Sequence, residues 1–152
     1  MSPAPPSVGI SALEPPRVPL VPPASPERAL AHFSSLLEFE TDCHEVHHDL
    51  ATTGPAFVLV DVREPEAYVA GHIPGAVNLP LDRIDEESLG RWSPDTLFVV
   101  YGRGPHCRAA DRAAVRLSRS GRSVKRMLGG IQGWRESGYE LTTEPSSAGA
   151  LD

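Results

Sequence analysis

LFVVYGRGPHC, residues 97–107, joins an uninterrupted apolar run to a turn built from two glycines and a proline. Five residues without polar alternation read as a strand buried on both faces. The run stops at Gly102-Arg103-Gly104-Pro105-His106, and an arginine-rich segment from about Cys107 to Arg119 then has helical spacing, with Gly121 as its cap. Strand, tight turn and helix in that order aim the turn's backbone N–H groups and the positive end of the helix dipole at one spot. In an open α/β sheet, ligands sit in the crevice beyond the carboxyl ends of the strands. Loop 102–108 therefore reads as an anion-binding cradle.

Working outward, FVLVD at 57–61 is a second fully buried strand, and Ala76–Leu79 and Val124–Leu128 are further strands. Helical signals alternate with them. Ser25-Pro26 is an N-cap with proline at the first helical position, followed by Leu30, Phe33, Leu36 and Leu37 at helical spacing. Asp42 with Glu45 predicts a capping box for a short helix ending at Gly54. Pro65–Ala70 and Ile131–Ser137 complete the set. Strands alternating with helices mean βαβ crossovers and a parallel sheet covered on both faces.

Of the 152 residues, 40% are hydrophobic and 22% charged, which suits one domain with a sizeable core. No run approaches the ~20 apolar residues of a membrane span, and no basic start with an apolar run signals secretion. Two widely separated cysteines, Cys43 and Cys107, make no disulfide framework, so reduced thiols in the cytoplasm are expected. A net charge of −6 argues against general nucleic-acid binding. Eight of the 14 basic residues nevertheless lie between Arg103 and Arg126, with Asp111 the only acid among them. The basic region begins at the cradle, which points to a small anion (thiosulfate, sulfate or phosphate-like) as ligand. Nine prolines in the first 26 residues predict a disordered tail over 1–24, a single domain over 25–144 and a short C-terminal tail over 145–152.

Together with DVREPEAYVAGHIPGAVNLP at 61–80 and VKRMLGGIQGW at 124–134, the loop resembles the rhodanese-like sulfurtransferase family over roughly residues 39–141. The resemblance implies a five-stranded parallel sheet in a three-layer α/β/α sandwich. It also implies a loop Cys that takes sulfur from thiosulfate or another donor, becomes a persulfide, and passes the sulfur to cyanide or a thiol. At that position, directly after Val100-Tyr101, stands Gly102. A glycine can neither attack nor carry sulfur, although the N–H donors of its loop remain. Lost or weak turnover is therefore expected.

Within the family, one subset has the loop Tyr-Cys-x-Gly-Pro-x-Cys; Tyr101, Gly104, Pro105 and Cys107 match it. Cys107 is then the candidate substitute nucleophile, expected in the first turn of the helix. The alternative reading is an active sulfurtransferase, through Cys107 or with Gly102 an engineered replacement of Cys. Gly102 and Arg108 also reproduce the Cys-x5-Arg spacing of rhodanese-fold phosphatases, which makes Arg108 a candidate anion clamp. Six residues after Cys107 lies Ala113 rather than Arg, so phosphatase activity is not expected. The anion-binding set is thus Arg103, Gly104, Pro105, His106, Cys107 and Arg108.

Asp61 and Arg63, in the family's Asp-Val-Arg motif, are expected to organise loops at the cradle mouth. His72 is expected to be buried and hydrogen-bonded, Trp134 to be core, and Gly129-Gly130 to permit close packing against the cradle. Arg108, Arg112, Arg116 and Arg119 share one helix face and offer a docking stripe for an acidic protein partner. Cys43, His44, His47 and His48 have chelating i,i+4 spacings, but only one pair can face a given ion and the segment belongs to the family pattern, so neither metal nor cofactor is expected.

Overall fold

The two apolar runs, LFVVY and FVLVD, do become neighbouring strands in the middle of a sheet. The computed structural model describes residues 2–4, 14–52 and 54–146. In chain order the elements are α1 (Pro26–Phe39), β1 (Glu40–Thr41), α2 (Cys43–Ala51), β2 (Val58–Asp61), α3 (Pro65–Ala70), β3 (Val77–Asn78), α4 (Glu86–Leu89), β4 (Leu97–Tyr101), α5 (Ala109–Arg119), β5 (Ser123–Met127) and α6 (Gly130–Glu136). The five strands lie in the order β1-β5-β4-β2-β3, every pairing parallel. LFVVY is thus the central strand, with Val58–Asp61 on one side and Ser123–Arg126 on the other.

Alternate residues of the central strands feed two separate cores, as the pleat demands. Leu59, Val99 and Tyr101 pack with Cys43, Val46, Met127, Ile131 and Trp134 beneath α2, α3 and α6. Val60, Phe98 and Val100 pack with Leu89, Ala110, Ala113 and Leu117 beneath α4 and α5. This is the expected three-layer α/β/α sandwich around a parallel sheet. The compact units of the chain are residues 1–34 and 35–152, so the division falls inside α1.

Local chemistry sets the element ends. Ser25 Oγ accepts from the Arg28 N–H at 3.3 Å and starts α1. Asp42 accepts from the Glu45 N–H at 2.8 Å, but the Glu45 carboxylate takes the Thr41 hydroxyl (2.9 Å) instead of closing the expected box. A reciprocal box forms at Asp85 and Ser88, opening α4, which the composition of 80–96 did not announce. Gly121, at φ +74°, ends α5, and the Arg122 N–H returns to the Leu117 carbonyl at 2.9 Å.

One expectation needs correction: α5 begins at Ala109 with Arg108 as its N-cap, so Cys107 lies in the preceding turn and not in the helix. The remaining strand of the five that the resemblance implies is Glu40–Thr41, too short to show a pattern. In the expected tail over 145–152, Ser146 is buried, its N–H on the Tyr68 hydroxyl (3.4 Å) and its Oγ on the Gly75 carbonyl (3.1 Å). The rest of that expected tail, 147–152, lies outside the described residues, as do residues 1 and 5–13 of the proline-rich segment. Within the described part of that segment, Val18–Leu20 makes one 3-10 turn. No helix among the described residues is long and apolar enough to cross a membrane.

Arg122 fastens the long connection into β4. Its guanidinium donates to the carbonyls of Leu89 (2.8 Å), Trp92 (3.2 Å) and Ser93 (2.6 Å), and lies over the Phe98 ring at 5.8 Å. Arg122→Ala should lower the unfolding free energy by about 1–3 kcal/mol, the worth of a charged donor's hydrogen bonds, and urea midpoints measure it.

Candidate functional site

Loop 102–108 leaves the end of β4 and is held by the start of α6 through backbone alone. The Ile131 N–H donates to the Gly102 carbonyl and the Gln132 N–H to the Arg103 carbonyl, each at 3.0 Å. Inside the loop the Cys107 N–H turns back to the Gly104 carbonyl at 3.2 Å. Gly130 has to be glycine: at φ +59° its Cβ would stand 2.6 Å from the Gly102 oxygen. A Cβ on Gly104 would meet Gln132 Oε1 at 2.7 Å, a contact that the end of a flexible side chain relieves by swinging away.

Gly102 is different. Its φ is outside the left-handed region, and a Cβ there would meet Ala110 N at 3.6 Å and Ala109 Cβ at 3.7 Å, ordinary contacts. Neither backbone nor space requires a glycine at 102. A side chain at this buried position would start out toward the first turn of α5.

Beneath the loop lies a buried polar network. Asp61, at the end of β2, has 0% exposure. Its carboxylate accepts from the Tyr101 hydroxyl at 2.7 Å, from Arg63 Nη2 at 2.7 Å, and from Arg63 Nε and the Arg63 N–H at 3.0 Å. Arg63 Nη2 also reaches the Gly71 carbonyl (2.7 Å), while the Tyr101 oxygen accepts from the Ile73 N–H (3.2 Å). Asp61 and Arg63 thus tie the loop after β2 to the Gly71 carbonyl; Tyr101, the third member, is in the sequence only the one hydroxyl in an apolar strand. Burial works against the Arg63 charge, but the Asp61 carboxylate and Tyr101 more than offset it and hold the guanidinium above its ordinary value. Burial first, then the Asp61 charge, pushes the Tyr101 phenol well above the usual tyrosine range.

The other candidates separate. Cys107 is half-buried and lines two spaces. One is a small cavity of about 120 Å³ shared with Gly102, Gly104, Pro105 and Gly130. The other, of about 730 Å³, lies between the loops after β2 and β4 and the outer face of α6, and Arg63 and Arg103 also line it. Arg108 borders neither. Its side chain is 81% exposed and paired with Asp111 at 3.0 Å, in a recess shared with Glu40 and Arg126. His106 is exposed and lines neither cavity.

Arg112, Arg116 and Arg119 are exposed opposite buried Ala110, Ala113 and Leu117, and Arg116 donates to the Leu81 carbonyl at 2.6 Å. His72 is fully buried between the Tyr68 and Glu144 carbonyls, each 2.7 Å from a ring nitrogen, and stacks on Tyr68 at 3.6 Å. Cys43 is in the core, its thiol pushed up by burial and then by Asp42, whereas His47 stacks on Tyr139 at 3.9 Å. Among the described residues no three potential metal ligands converge.

A central strand delivering a glycine-fastened loop to the N-terminus of a helix, with an Asp-Val-Arg network beneath it, defines a parallel α/β domain whose candidate site is centred on that loop. The particular family follows from comparison: the chain belongs to the rhodanese-like domain family, which it matches over residues 42–137. It is similar to the crystal structure of the BH2092 protein from Bacillus halodurans, with a TM-score of 0.76 and 34% identity over 84% of this chain and 92% of that one. It is 37% identical over 93 residues to the thiosulfate sulfurtransferase GlpE of Pseudomonas entomophila, covering 58% of this chain and 79% of the relative. It is 46% identical over 84 residues to the HTH-type transcriptional regulator Rv0324 of Mycobacterium tuberculosis, covering 55% of this chain and 36% of the regulator. The chain thus spans little more than a third of that relative's length.

Two predictions test this geometry. Gly130→Ala should cost about 2–4 kcal/mol, because strain and a backbone clash combine. Gly138→Ala, at φ +78° with open space around it, should cost only the left-handed penalty of about 1–2 kcal/mol. The Tyr101 phenol keeps its proton to higher pH in the folded than in the unfolded chain. Its contribution is therefore full below about pH 10 and is lost as pH rises through the folded-state value. Tyr68 shifts in the same direction, so Tyr101→Phe should make the alkaline decline in urea stability shallower without abolishing it.

Proposed function

We propose that residues 102–108 form an anion-binding cradle of sulfurtransferase type whose own turnover is impaired, because Gly102 occupies the position of the family's persulfide-forming Cys. The observation that carries this reading is the room at Gly102: a Cβ there makes only ordinary contacts, and they are with Ala109 and Ala110 in the first turn of α5. There the N–H groups and helix dipole would favour a thiolate. In the family reaction that thiolate attacks the outer sulfur of thiosulfate, the S–S bond breaks, sulfite leaves, and a thiol or cyanide then takes the sulfur from the persulfide. Gly102 supports anion binding through its loop but supplies no atom to hold sulfur. The ligand in this reading is thiosulfate, sulfate or a phosphate-like ion, held by the loop's N–H groups with Arg103. Arg108, turned to Asp111, contributes charge at a distance rather than a clamp.

A second reading rests on Cys107, whose thiol lines the same small cavity as Gly102. In it the chain is an active sulfurtransferase that carries sulfur on Cys107.

A sulfurtransferase assay separates the two. With thiosulfate as donor and cyanide as acceptor, the chain should turn over at least ~10³-fold more slowly than its Gly102→Cys variant, the scale on which covalent catalytic residues act. Comparable rates in both proteins would overturn the impaired reading, and their loss in Cys107→Ser would establish the second.

A further inference from the structure

We propose that His72 is a proton-operated clasp: with a proton on both ring nitrogens it fastens the segment Thr142–Ser146 to the turn after α3, and it releases that segment when one proton leaves. The inference stands apart from the reading of the loop as an anion cradle. It rests on a ring asked to donate twice. Nδ1 stands 2.7 Å from the Tyr68 carbonyl and Nε2 stands 2.7 Å from the Glu144 carbonyl. A carbonyl oxygen only accepts, whereas a neutral imidazole has one N–H and one bare nitrogen. The neutral ring would therefore set a bare nitrogen against an oxygen lone pair, at a position with 0% exposure where solvent cannot step in. The imidazolium satisfies both carbonyls. Tyr68, stacked on the ring at 3.6 Å, presents its electron-rich face to the charge.

The surroundings decide which bond yields. The Tyr68 carbonyl is fixed in α3 and has a second donor, the Gly71 N–H at 3.1 Å. The Glu144 carbonyl belongs to an irregular segment. Besides the ring, that segment is held by the reciprocal His72–Thr142 backbone pair (2.9 and 2.8 Å) and by Ser146 on the Tyr68 hydroxyl and the Gly75 carbonyl. The Glu144 side therefore opens first. The other charged and titratable groups reach the ring's two neighbours in the chain. Arg63, paired with Asp61, donates to the Gly71 carbonyl, and the Tyr101 hydroxyl, bonded to Asp61, accepts from the Ile73 N–H. Glu144 offers its carbonyl, and the residue is exposed. Burial pushes the Tyr68 phenol up, with the Asp61 charge adding to it, and the same two causes act on Tyr101, so both phenols keep their protons below pH 9. The turn that receives the clasp is thus also the turn that holds Arg63 and Tyr101 beneath loop 102–108.

Nitrogen-15 NMR of the His72 ring and amide exchange on the full chain, both followed from about pH 5 to about pH 9, test the clasp across the range in which histidine ordinarily changes charge. The ring should show two N–H protons at the acid end and one at the alkaline end. Across the same midpoint, exchange at Thr142 and Ser146 should rise at least ~10-fold beyond its base-catalysed increase, the scale of one hydrogen bond to a charged group. Leu79, whose N–H donates to the Asp61 carbonyl at 2.9 Å, should keep its protection. His72→Gln retains an amide donor but has no titrating proton, so the step at Thr142 and Ser146 should vanish in it. A ring that holds one N–H or two over the whole range would overturn the clasp. So would a ring that loses its proton while Thr142 and Ser146 stay protected, a loss of protection shared by Leu79, or a step that survives in His72→Gln. If that variant does not fold, the ring and amide readouts on the unaltered chain decide alone.

Discussion

The Asp61 carboxylate is the constraint on which the site depends. It has no access to water, so each of its lone pairs must find a donor inside the protein. Tyr101 brings β4 to it, Arg63 and its backbone N–H bring the loop after β2, and through Arg63 and Tyr101 it reaches Gly71 and Ile73 before β3. Three segments at the carboxyl edge of the sheet are thus fixed by one buried charge. Such an ion pair adds little net stability over a well-packed apolar substitute, but losing one partner strands the other at a cost of about 3–5 kcal/mol. Its effect is positional: it sets where β4 ends, and hence where loop 102–108 begins.

From that origin the loop is shaped by contact with α6 rather than by its own side chains. Gly130 lets the helix start against the Gly102 carbonyl and the Gly104 backbone, and the two N–H groups of Ile131 and Gln132 hold two loop carbonyls. The Gly102 and Arg103 carbonyls are thereby turned toward α6. Gly130 is a structural necessity here. Gly102 is not, and the contrast between them separates a glycine required by geometry from one that only lacks a side chain.

The fold was legible because the buried strands are apolar runs without alternation, and the helices between them carry their own caps and periodicity. β1 escaped because two residues cannot display a period; it is a strand only through Arg126 and Met127 beside it. α4 escaped because a single turn rests on one capping box. At the site, the motifs located the loop and the Asp61–Arg63 pair, while the direction of Arg108 was beyond them. Cys-x5-Arg spacing fixes a position along the chain, but Asp111, one turn further on, and Arg126 across the sheet decide where charge gathers. Arg108 joins that surface cluster instead of closing on the cradle. The fastening of Ser146 to Tyr68 was equally invisible, since a serine after a proline carries no pattern.

In a domain of this construction the N–H groups of the loop do not depend on the residue at position 102. The donors belong to the backbone and to the end of α5, and the β4–α6 contacts that present them involve no side chain at position 102. Removing a nucleophile from that position leaves the packing at Ala109 and Ala110 unstrained, because a Cβ there makes only ordinary contacts. In a site built from side-chain ligands the same change would leave a cavity or an unpaired charge, and the fold would register it. Here the fold is indifferent to residue 102. The loop backbone is therefore kept whether or not a Cβ stands there.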